Sequence, residues 1–155
     1  MAANVATGQT ILQAIKNEIE ARAFYLAIAE KVKNPLVRRK FLGLADDELE
    51  HRETLSRLYW AQTGTEVGDL EDHEMDILAP DVENLTLVEA LEIAIEAEKD
   101  AVEKYSRMAE ETDDLRSKGF LEYLSEFENA HYETLSRELK KIKNDPDWQN
   151  AEVSD

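Results

Sequence analysis

Several residue types are rare or missing in this sequence, and each absence excludes a class of protein. There is no cysteine, which excludes disulfides, iron–sulfur clusters, thiolate zinc sites and a thiol nucleophile. Glycine (5 residues) and proline (3 residues) are scarce, which favours long helices over a turn-rich β architecture. No apolar stretch approaches the roughly 18 residues of a transmembrane helix, so we expect no association with a membrane.

Basic residues are also in the minority. Lys and Arg number 18 against 35 Asp and Glu, which gives a net charge of −17. Binding to a phosphate backbone requires a basic surface, so we expect no nucleic-acid partner. The first residues lack the basic start and apolar stretch of a signal peptide, and a cytoplasmic location is expected. The length of 155 residues predicts a single domain over residues 1–155.

Apolar residues recur at helical spacing through four segments, which predicts an all-α protein. The first two helices are predicted from about Gln9 to Val32 and from about Leu36 to Gln62. Asn34 and Pro35 separate them, because the residue before a proline is disfavoured in helical geometry. Trp60 is expected to pack at the end of the second helix.

The third helix is predicted to begin near Thr86, an N-cap residue with Glu89 three positions later. The polar cluster 112–114 ends this helix and caps a fourth, which runs to about Lys143. The helical bundle therefore spans about residues 9–143. Residues 144–155, including Trp148, are predicted to form a polar tail.

The two pairs of helices repeat each other at a constant offset of 80 residues. Residues 51–57 read HRETLSR and residues 131–137 read HYETLSR, so six of seven positions are identical. Tyr25 and Tyr105 match at the same offset. A repeated helical hairpin predicts a bundle with an approximate twofold axis between its halves.

The segment from about residue 63 to residue 85 joins the two hairpins. If the second and third helices run parallel, this segment has to cross the whole length of the bundle. A helix of roughly 26 residues is about 39 Å long, and about 22 extended residues can span that distance. One such crossover is typical of the ferritin-like four-helix bundle. His73 lies in the crossover without a partner in the repeat and is expected at the surface.

Two of the histidines follow a glutamate by three positions, as Glu48 with His51 and Glu128 with His131. Residues with this spacing share one helix face, within reach of a common point. Each pair taken alone is a weak signal. The glutamates could be surface acids on a miscounted face, and the histidines could be core residues that bond to a neighbour.

The first and third helices each place one glutamate, Glu18 or Glu98, on their apolar stripe. Four buried, unpaired carboxylates would be very costly, whereas two divalent cations neutralise them and imidazoles complete the ligand set. One Glu from each of two helices with Glu-x-x-His from the other two is the pattern of di-iron and di-manganese carboxylate bundles. The predicted metal ligands are Glu18, Glu48, His51, Glu98, Glu128 and His131. Iron and manganese both suit these ligands.

Tyr25 and Tyr105 lie seven residues after Glu18 and Glu98, on the same helix faces two turns away. Two interpretations remain open for these tyrosines. They could fill the core, or they could donate a hydrogen bond to a ligand carboxylate across the bundle and take part in catalysis.

From about Ile11 to Leu139 the chain resembles the rubrerythrin branch of the ferritin-like superfamily. The motifs that carry the resemblance are Glu18-Ile-Glu-Ala-Arg-Ala-Phe-Tyr25, Glu48-Leu-Glu-His51, Glu98 with Tyr105, and Glu128-Asn-Ala-His131. The resemblance implies a homodimer with two irons per chain, bridged by Glu48 and Glu128. It also implies that Glu18 and Glu98 are terminal ligands and that each histidine holds one iron.

The resemblance implies reduction of hydrogen peroxide by the diferrous site, with dioxygen as the other oxidant that such sites meet. Two departures from the family bear on this expectation. The absence of cysteine removes the usual rubredoxin domain, so turnover would need an external electron donor protein. Ala101 and Asp100 stand where rubrerythrins carry an additional glutamate. The alternatives are a ferroxidase that stores or delivers iron and a metal-bound interaction module without turnover.

Overall fold

The computed structural model describes residues 2–68 and 82–148, and four long helices dominate these ranges. A short 3-10 helix at Val82–Asn84 precedes the third of them, and no strand occurs in the described part of the chain. The predicted all-α, four-helix architecture is therefore confirmed. The four helices are α1 (Ala2–Lys31), α2 (Pro35–Thr63), α3 (Leu87–Glu111) and α4 (Leu115–Asn144).

The break between α1 and α2 is a capped helix start. The side chain of Asn34 accepts a hydrogen bond from the backbone N–H of Leu36 at 2.9 Å, and Pro35 is the first helical residue. A proline is tolerated there because its missing N–H would have no partner in the first turn. At the other end of α2, Gly64 adopts a φ of 71°, a left-handed conformation that favours glycine, and its N–H donates to Trp60.

Thr86 and Glu89 cap the start of α3 reciprocally, as their spacing predicts. The Thr86 hydroxyl accepts from the Glu89 N–H, and the Glu89 carboxylate accepts from the Thr86 N–H, both at 3.1 Å. Asp114 caps α4 and accepts from the backbone N–H of Ser117 at 3.0 Å. One boundary differs: α1 begins at Ala2 rather than Gln9, since residues 2–8 contain no proline to end a helix.

The pairing of side chains across the bundle shows which helices are antiparallel. Tyr25 of α1 contacts Glu98 of α3, and Tyr105 of α3 contacts Glu18 of α1. The lower-numbered residue of one helix thus meets the higher-numbered residue of the other, so α1 and α3 are antiparallel. The same reciprocity relates α2 and α4, and an approximate twofold axis relates the two hairpins.

The ends of α2 and α3 confirm the crossover topology. Thr63 lies beside Gly8 near the start of α1. The Leu85 carbonyl, just before α3, accepts a hydrogen bond from Lys31 at the end of α1. Gly8 and Lys31 are about 35 Å apart along α1, so residues 63 and 85 lie at opposite ends of the ferritin-like bundle. Most of the crossover, including His73, lies outside the described residues.

Two apolar clusters fill the bundle, one towards each end. One cluster contains Phe41, Ile28 and Leu135, and the other contains Ile15 and Leu121. Tyr25 belongs to the first cluster and its repeat partner Tyr105 to the second. The polar residues of the predicted metal site lie between the two clusters.

The two tryptophans differ from expectation. Trp60 is 59% exposed, so the prediction that it packs at the end of α2 is wrong, because its position on the helix points outward. Trp148, placed in the predicted polar tail, is half-buried against the apolar cluster that contains Phe41. Its carbonyl accepts a hydrogen bond from the Asn34 side chain at 2.7 Å, which holds the chain after α4 against the α1–α2 turn. No described helix has both the length and the apolar character of a membrane span.

Candidate metal centre

All six residues predicted as metal ligands meet in the middle of the bundle. Each of them is at most 3% exposed. Because α1 and α3 contribute one glutamate each and α2 and α4 contribute one Glu-x-x-His pair each, every helix takes part. The buried ligand residues are Glu18, Glu48, His51, Glu98, Glu128 and His131.

The six residues form two overlapping groups of four. Glu18 and His51 belong to one group, and Glu98 and His131 belong to the other. Each group offers four ligand atoms that lie within 4.8 Å of one another. The two residues that belong to both groups are Glu48 and Glu128, the pair that the family resemblance implies as bridges.

The contacts of the two histidines are reciprocal. His51 Nδ1 lies 2.7 Å from Glu128 Oε1 and 3.6 Å from Glu18 Oε2. His131 Nδ1 lies 2.8 Å from Glu48 Oε1 and 3.5 Å from Glu98 Oε1. Each histidine therefore reaches the carboxylate of the opposite Glu-x-x-His motif and the glutamate of one outer helix.

These short contacts do not have the geometry of hydrogen bonds. His51 Nδ1 and Glu128 Oε1 are 2.7 Å apart, yet neither atom has a hydrogen-bond partner. Ligand atoms that point at a common centre rather than at each other produce this combination. The buried atoms without a hydrogen-bond partner include one from each predicted ligand: Glu18 Oε2, Glu48 Oε1, His51 Nδ1, Glu98 Oε2, Glu128 Oε1 and His131 Nδ1.

Buried polar atoms without partners are costly, and metal ligation satisfies such atoms. Four carboxylates and two imidazoles match the ligand preferences of iron and manganese, and two divalent cations balance the four negative charges. The residues present therefore fit two metal ions. The cluster can hold a di-metal centre.

The carboxylates raise one another's affinity for positive charge. Burial, followed by the neighbouring Glu18 carboxylate, raises the pKa of Glu48 well above its usual value of 4.5. Burial, followed by the contact with Glu128, does the same to the pKa of Glu98. These shifts reflect concentrated negative charge away from water.

The pKa values of the two histidines and of Glu128 shift in the direction that favours their charged forms. Burial alone lowers the pKa of His51, but the carboxylates of Glu128 and Glu18 outweigh it and raise the pKa to about 9. Burial also opposes the charge on His131, and its carboxylate neighbours again raise the pKa. For Glu128, burial raises the pKa, but its contacts with Glu98 and the two histidines lower it below the usual 4.5. The cluster thus attracts cations strongly.

Two buried tyrosines support the outer glutamates from across the bundle. The Tyr25 hydroxyl donates to Glu98 Oε1, and the Tyr105 hydroxyl donates to Glu18 Oε1. Burial, followed by the nearby carboxylates, raises the pKa of both phenols well above 10, so both keep their protons at neutral pH. These tyrosines therefore both fill the core and hydrogen-bond a predicted ligand, and their part in catalysis stays a prediction.

Two further residues touch the histidines and were missed by sequence reasoning. The Asp47 carboxylate lies 3.0 Å from His131 Nε2. The Phe127 ring packs edge-on against both imidazoles, with centroids 4.7 Å from His51 and 5.3 Å from His131. Spacing within one helix could have revealed the contact of Phe127 with His131, because residues four positions apart share a helix face. It could not have revealed the contacts of Asp47 with His131 or of Phe127 with His51, which depend on the antiparallel pairing of α2 and α4.

A cleft of about 770 Å³ between α1 and α3 reaches the cluster from outside. Its walls include all four ligand glutamates and both buried tyrosines. Ala101 forms part of the wall, and its small side chain adds no ligand there. Asp100 is exposed and Glu20 is half-buried along the same cleft. Burial raises the pKa of Glu20, an effect that Lys104 and Lys16 partly offset.

Comparison with known protein families identifies the group to which this arrangement belongs. The family model described as Rubrerythrin matches residues 10–139. The chain belongs to the rubrerythrin family. The match covers all six residues of the rubrerythrin-type cluster and both tyrosines, and it confirms the resemblance found in the sequence.

Individual relatives agree with this assignment. The uncharacterized protein YhjR of Bacillus subtilis (strain 168) is 30% identical over 123 residues, which cover 79% of each protein. A hypothetical protein from Pyrococcus furiosus is 25% identical with a TM-score of 0.73, and the match covers 89% of this chain and 90% of that one. The manganese catalase KatB from Anabaena has a TM-score of 0.74 at 20% identity, covering 99% of this chain and 80% of that one. The last similarity shows the fold alone.

Proposed function

We propose that this protein is a di-iron oxidoreductase that reduces hydrogen peroxide to water with electrons from an external donor. The observation that carries the proposal is the pair of overlapping ligand groups that share Glu48 and Glu128 and open into a cleft. Two adjacent metal positions suit a two-electron reaction, since each ion can supply one electron. Membership of the rubrerythrin family supports this class of chemistry.

The cleft between α1 and α3 admits a small oxidant to the carboxylate side of the centre. Glu18 and Glu98 lie on its walls, and the phenols of Tyr105 and Tyr25 hold these two carboxylates in place. Ligands that are held by hydrogen bonds to neighbouring residues preserve the geometry of a metal site. The apolar clusters on either side exclude water from the rest of the centre.

The bound metals would supply Lewis acidity and two electrons for each peroxide cleaved. Reduction of one hydrogen peroxide to two waters also consumes two protons. Tyr25 and Tyr105 each carry a proton at the oxygen that faces a predicted ligand. We propose that these phenols hold the protons nearest to the reacting oxygen atoms. Since the chain contains no cysteine to ligate an iron of its own for electron delivery, a separate donor has to restore the electrons.

The proposal can be tested by stopped-flow mixing of the anaerobic, Fe(II)-loaded protein with peroxide or with dioxygen. We expect peroxide to oxidise the protein much faster than dioxygen does. Replacement of a shared ligand by Glu128→Gln should abolish this difference. Glu126→Gln on the exposed face of α4 removes the same charge and should leave the difference unchanged.

Equal or slower oxidation by peroxide would reject the peroxidase assignment. Retention of many irons per chain after aerobic Fe(II) loading would instead support ferroxidation and storage. An intact centre that reacts with neither oxidant would support an interaction module. Parallel loading with Mn(II) identifies the metal, because only the native metal should give turnover with peroxide and a reductant.

A further inference from the structure

The internal repeat is broken at two equivalent residues that contact the predicted ligand histidines. Residue 47 and residue 127 are equivalent at the offset of 80, but one is Asp and the other is Phe. Asp47 lies 3.0 Å from His131 Nε2. His51 Nε2 is buried and finds no hydrogen-bond partner among the described residues. The two halves of the repeat therefore differ in the residues that contact the predicted ligand histidines.

The difference affects how each imidazole presents its ligating nitrogen. In both histidines Nδ1 faces the glutamates, so metal binding requires the hydrogen to be on Nε2. For His131, the carboxylate of Asp47 accepts this hydrogen, which fixes the ring and selects that tautomer. Among the described residues, no carboxylate performs this role for His51. A carboxylate in this position also makes an imidazole a stronger donor to the metal.

We propose that Asp47 makes the two metal positions unequal, so that the position formed by Glu98 and His131 fills first and binds its metal more tightly. The inference rests on the di-metal centre proposed above and adds the order in which it fills. Asp47 is a positioning residue, since it acts on the metal only through His131.

The size of the effect follows from the environment of Asp47. Removing a carboxylate that supports a metal-bound histidine costs about 10–100-fold in metal affinity. The side chain of Asp47 is 35% exposed, and water screens its charge, so we expect the lower end of this range. Phe127 does not account for the asymmetry, because it packs edge-on against both imidazoles at similar distances.

The test is a titration of the metal-free protein with Mn(II), monitored by calorimetry and by electron paramagnetic resonance of the bound ion. We expect two binding steps in the unmodified protein, the first about tenfold tighter than the second. Asp47→Ala should weaken the tighter step about tenfold and leave the other step unchanged. Asp47→Asn should restore part of the loss, because its amide oxygen still accepts a hydrogen bond.

Asp46→Ala is the matched control. Asp46 is the neighbouring acid on the exposed face of α2, so its removal changes the net charge equally without touching His131. Both steps should keep the affinities of the unmodified protein. Equal loss in Asp46→Ala and Asp47→Ala would show a general charge effect and overturn the proposal.

A second readout keeps the test independent of any partial unfolding. In the protein loaded with diamagnetic Zn(II), one histidine Nε2–H should exchange slowly with solvent in nitrogen-15 spectra, and Asp47→Ala should abolish only that signal. Two equal Mn(II) steps that Asp47→Ala leaves unchanged would overturn the role of Asp47 alone. No Mn(II) binding by the unmodified protein would instead reject the di-metal centre itself.

Discussion

At the scale of single residues, the site depends on groups that neutralise or orient buried carboxylates. The hydroxyls of Tyr25 and Tyr105 cross from one hairpin to the other and donate to the outer glutamates. Each phenol therefore connects the halves of the molecule as well as supporting a predicted ligand. A buried acceptor that loses its donor is expensive, which makes these two hydroxyls sensitive points.

Tyr25→Phe keeps the ring and removes only the hydrogen bond to Glu98. We expect the free energy of unfolding of the metal-free protein to fall by about 1–3 kcal/mol, because a buried carboxylate oxygen loses its donor. Oxidation of the Fe(II)-loaded protein by peroxide should slow by roughly 10–100-fold, since the ligand is no longer held. Urea denaturation and stopped-flow absorbance measure the two effects.

Tyr105→Phe should have an effect of the same size, because its contact with Glu18 is equivalent by the repeat. Tyr123→Phe is the control, since that tyrosine is 52% exposed and its ring contacts Phe127 rather than a glutamate. A loss in Tyr123→Phe as large as in Tyr25→Phe would contradict the explanation.

At the scale of helices, capping residues fix where each of α2, α3 and α4 begins. Glu128 and His131 lie on α4, which begins at the Asp114 cap. The hydroxyl of Ser117 and then its backbone N–H donate to the Asp114 carboxylate and hold its pKa below the usual 3.8. A carboxylate near a helix N-terminus is also stabilised by the helix dipole.

This shift predicts a pH dependence of stability. Because the folded pKa is below the unfolded value, the stabilisation by Asp114 is complete above a pH of about 3.8 and is lost as the pH falls through the folded pKa. Asp114→Ala should therefore lower the urea midpoint of the metal-free protein most at neutral pH. The difference from the unmodified protein should shrink in more acidic buffer, below a pH of about 4.

Asp113→Ala serves as the control for this experiment. Asp113 is exposed, adjacent and outside the cap, so its loss should shift the midpoint less and with no such trend. If the two variants follow the same pH profile, capping by Asp114 is not the cause of the stabilisation.

The helices and the ligands were predictable for a common reason. Apolar periodicity identifies buried faces, and the repeat at 80 residues identifies which of the acids on those faces belong together. Glu18 and Glu98 were found in this way although neither has a histidine nearby in sequence. The N-caps of α3 and α4, Thr86 and Asp114, could be predicted because a helix cap is a local sequence pattern.

The residues that were missed or wrongly predicted from the sequence depend on contacts between different parts of the chain. Asp47 reads as one of many acids on α2, and only the register of α2 against α4 brings it to His131. Trp60 has the size and apolar character of a core residue, but its helix face points outward. Trp148 follows a polar stretch, and its burial comes from packing against the distant cluster that contains Phe41. Periodicity within one helix carries no information about such contacts.

At the scale of the whole molecule, the metal cluster is a concentration of negative charge that folding has to enclose. Four carboxylates are buried together in a chain whose net charge is already −17. Cations that bind only the folded form shift the folding equilibrium towards it. Stability and metal binding are therefore linked in this protein.

Addition of Mn(II) should raise the unfolding temperature of the metal-free protein. At a free concentration of 100 times Kd, one site contributes about 2.7 kcal/mol, or roughly 5–10 °C for a chain of this size. Differential scanning calorimetry measures the shift. Glu128→Gln should lose most of it, because Glu128 belongs to both ligand groups. Glu126→Gln should retain it, and equal shifts in both variants would place the stabilising ions elsewhere.

The approximate twofold axis has a consequence for the origin of the chain. Each hairpin carries one outer glutamate and one Glu-x-x-His motif, so two copies of a single hairpin would assemble the complete set of ligands. Duplication and fusion of one such hairpin would produce this arrangement. Two copies in one chain can change independently, and Asp47 and Phe127 occupy equivalent positions of the repeat that differ.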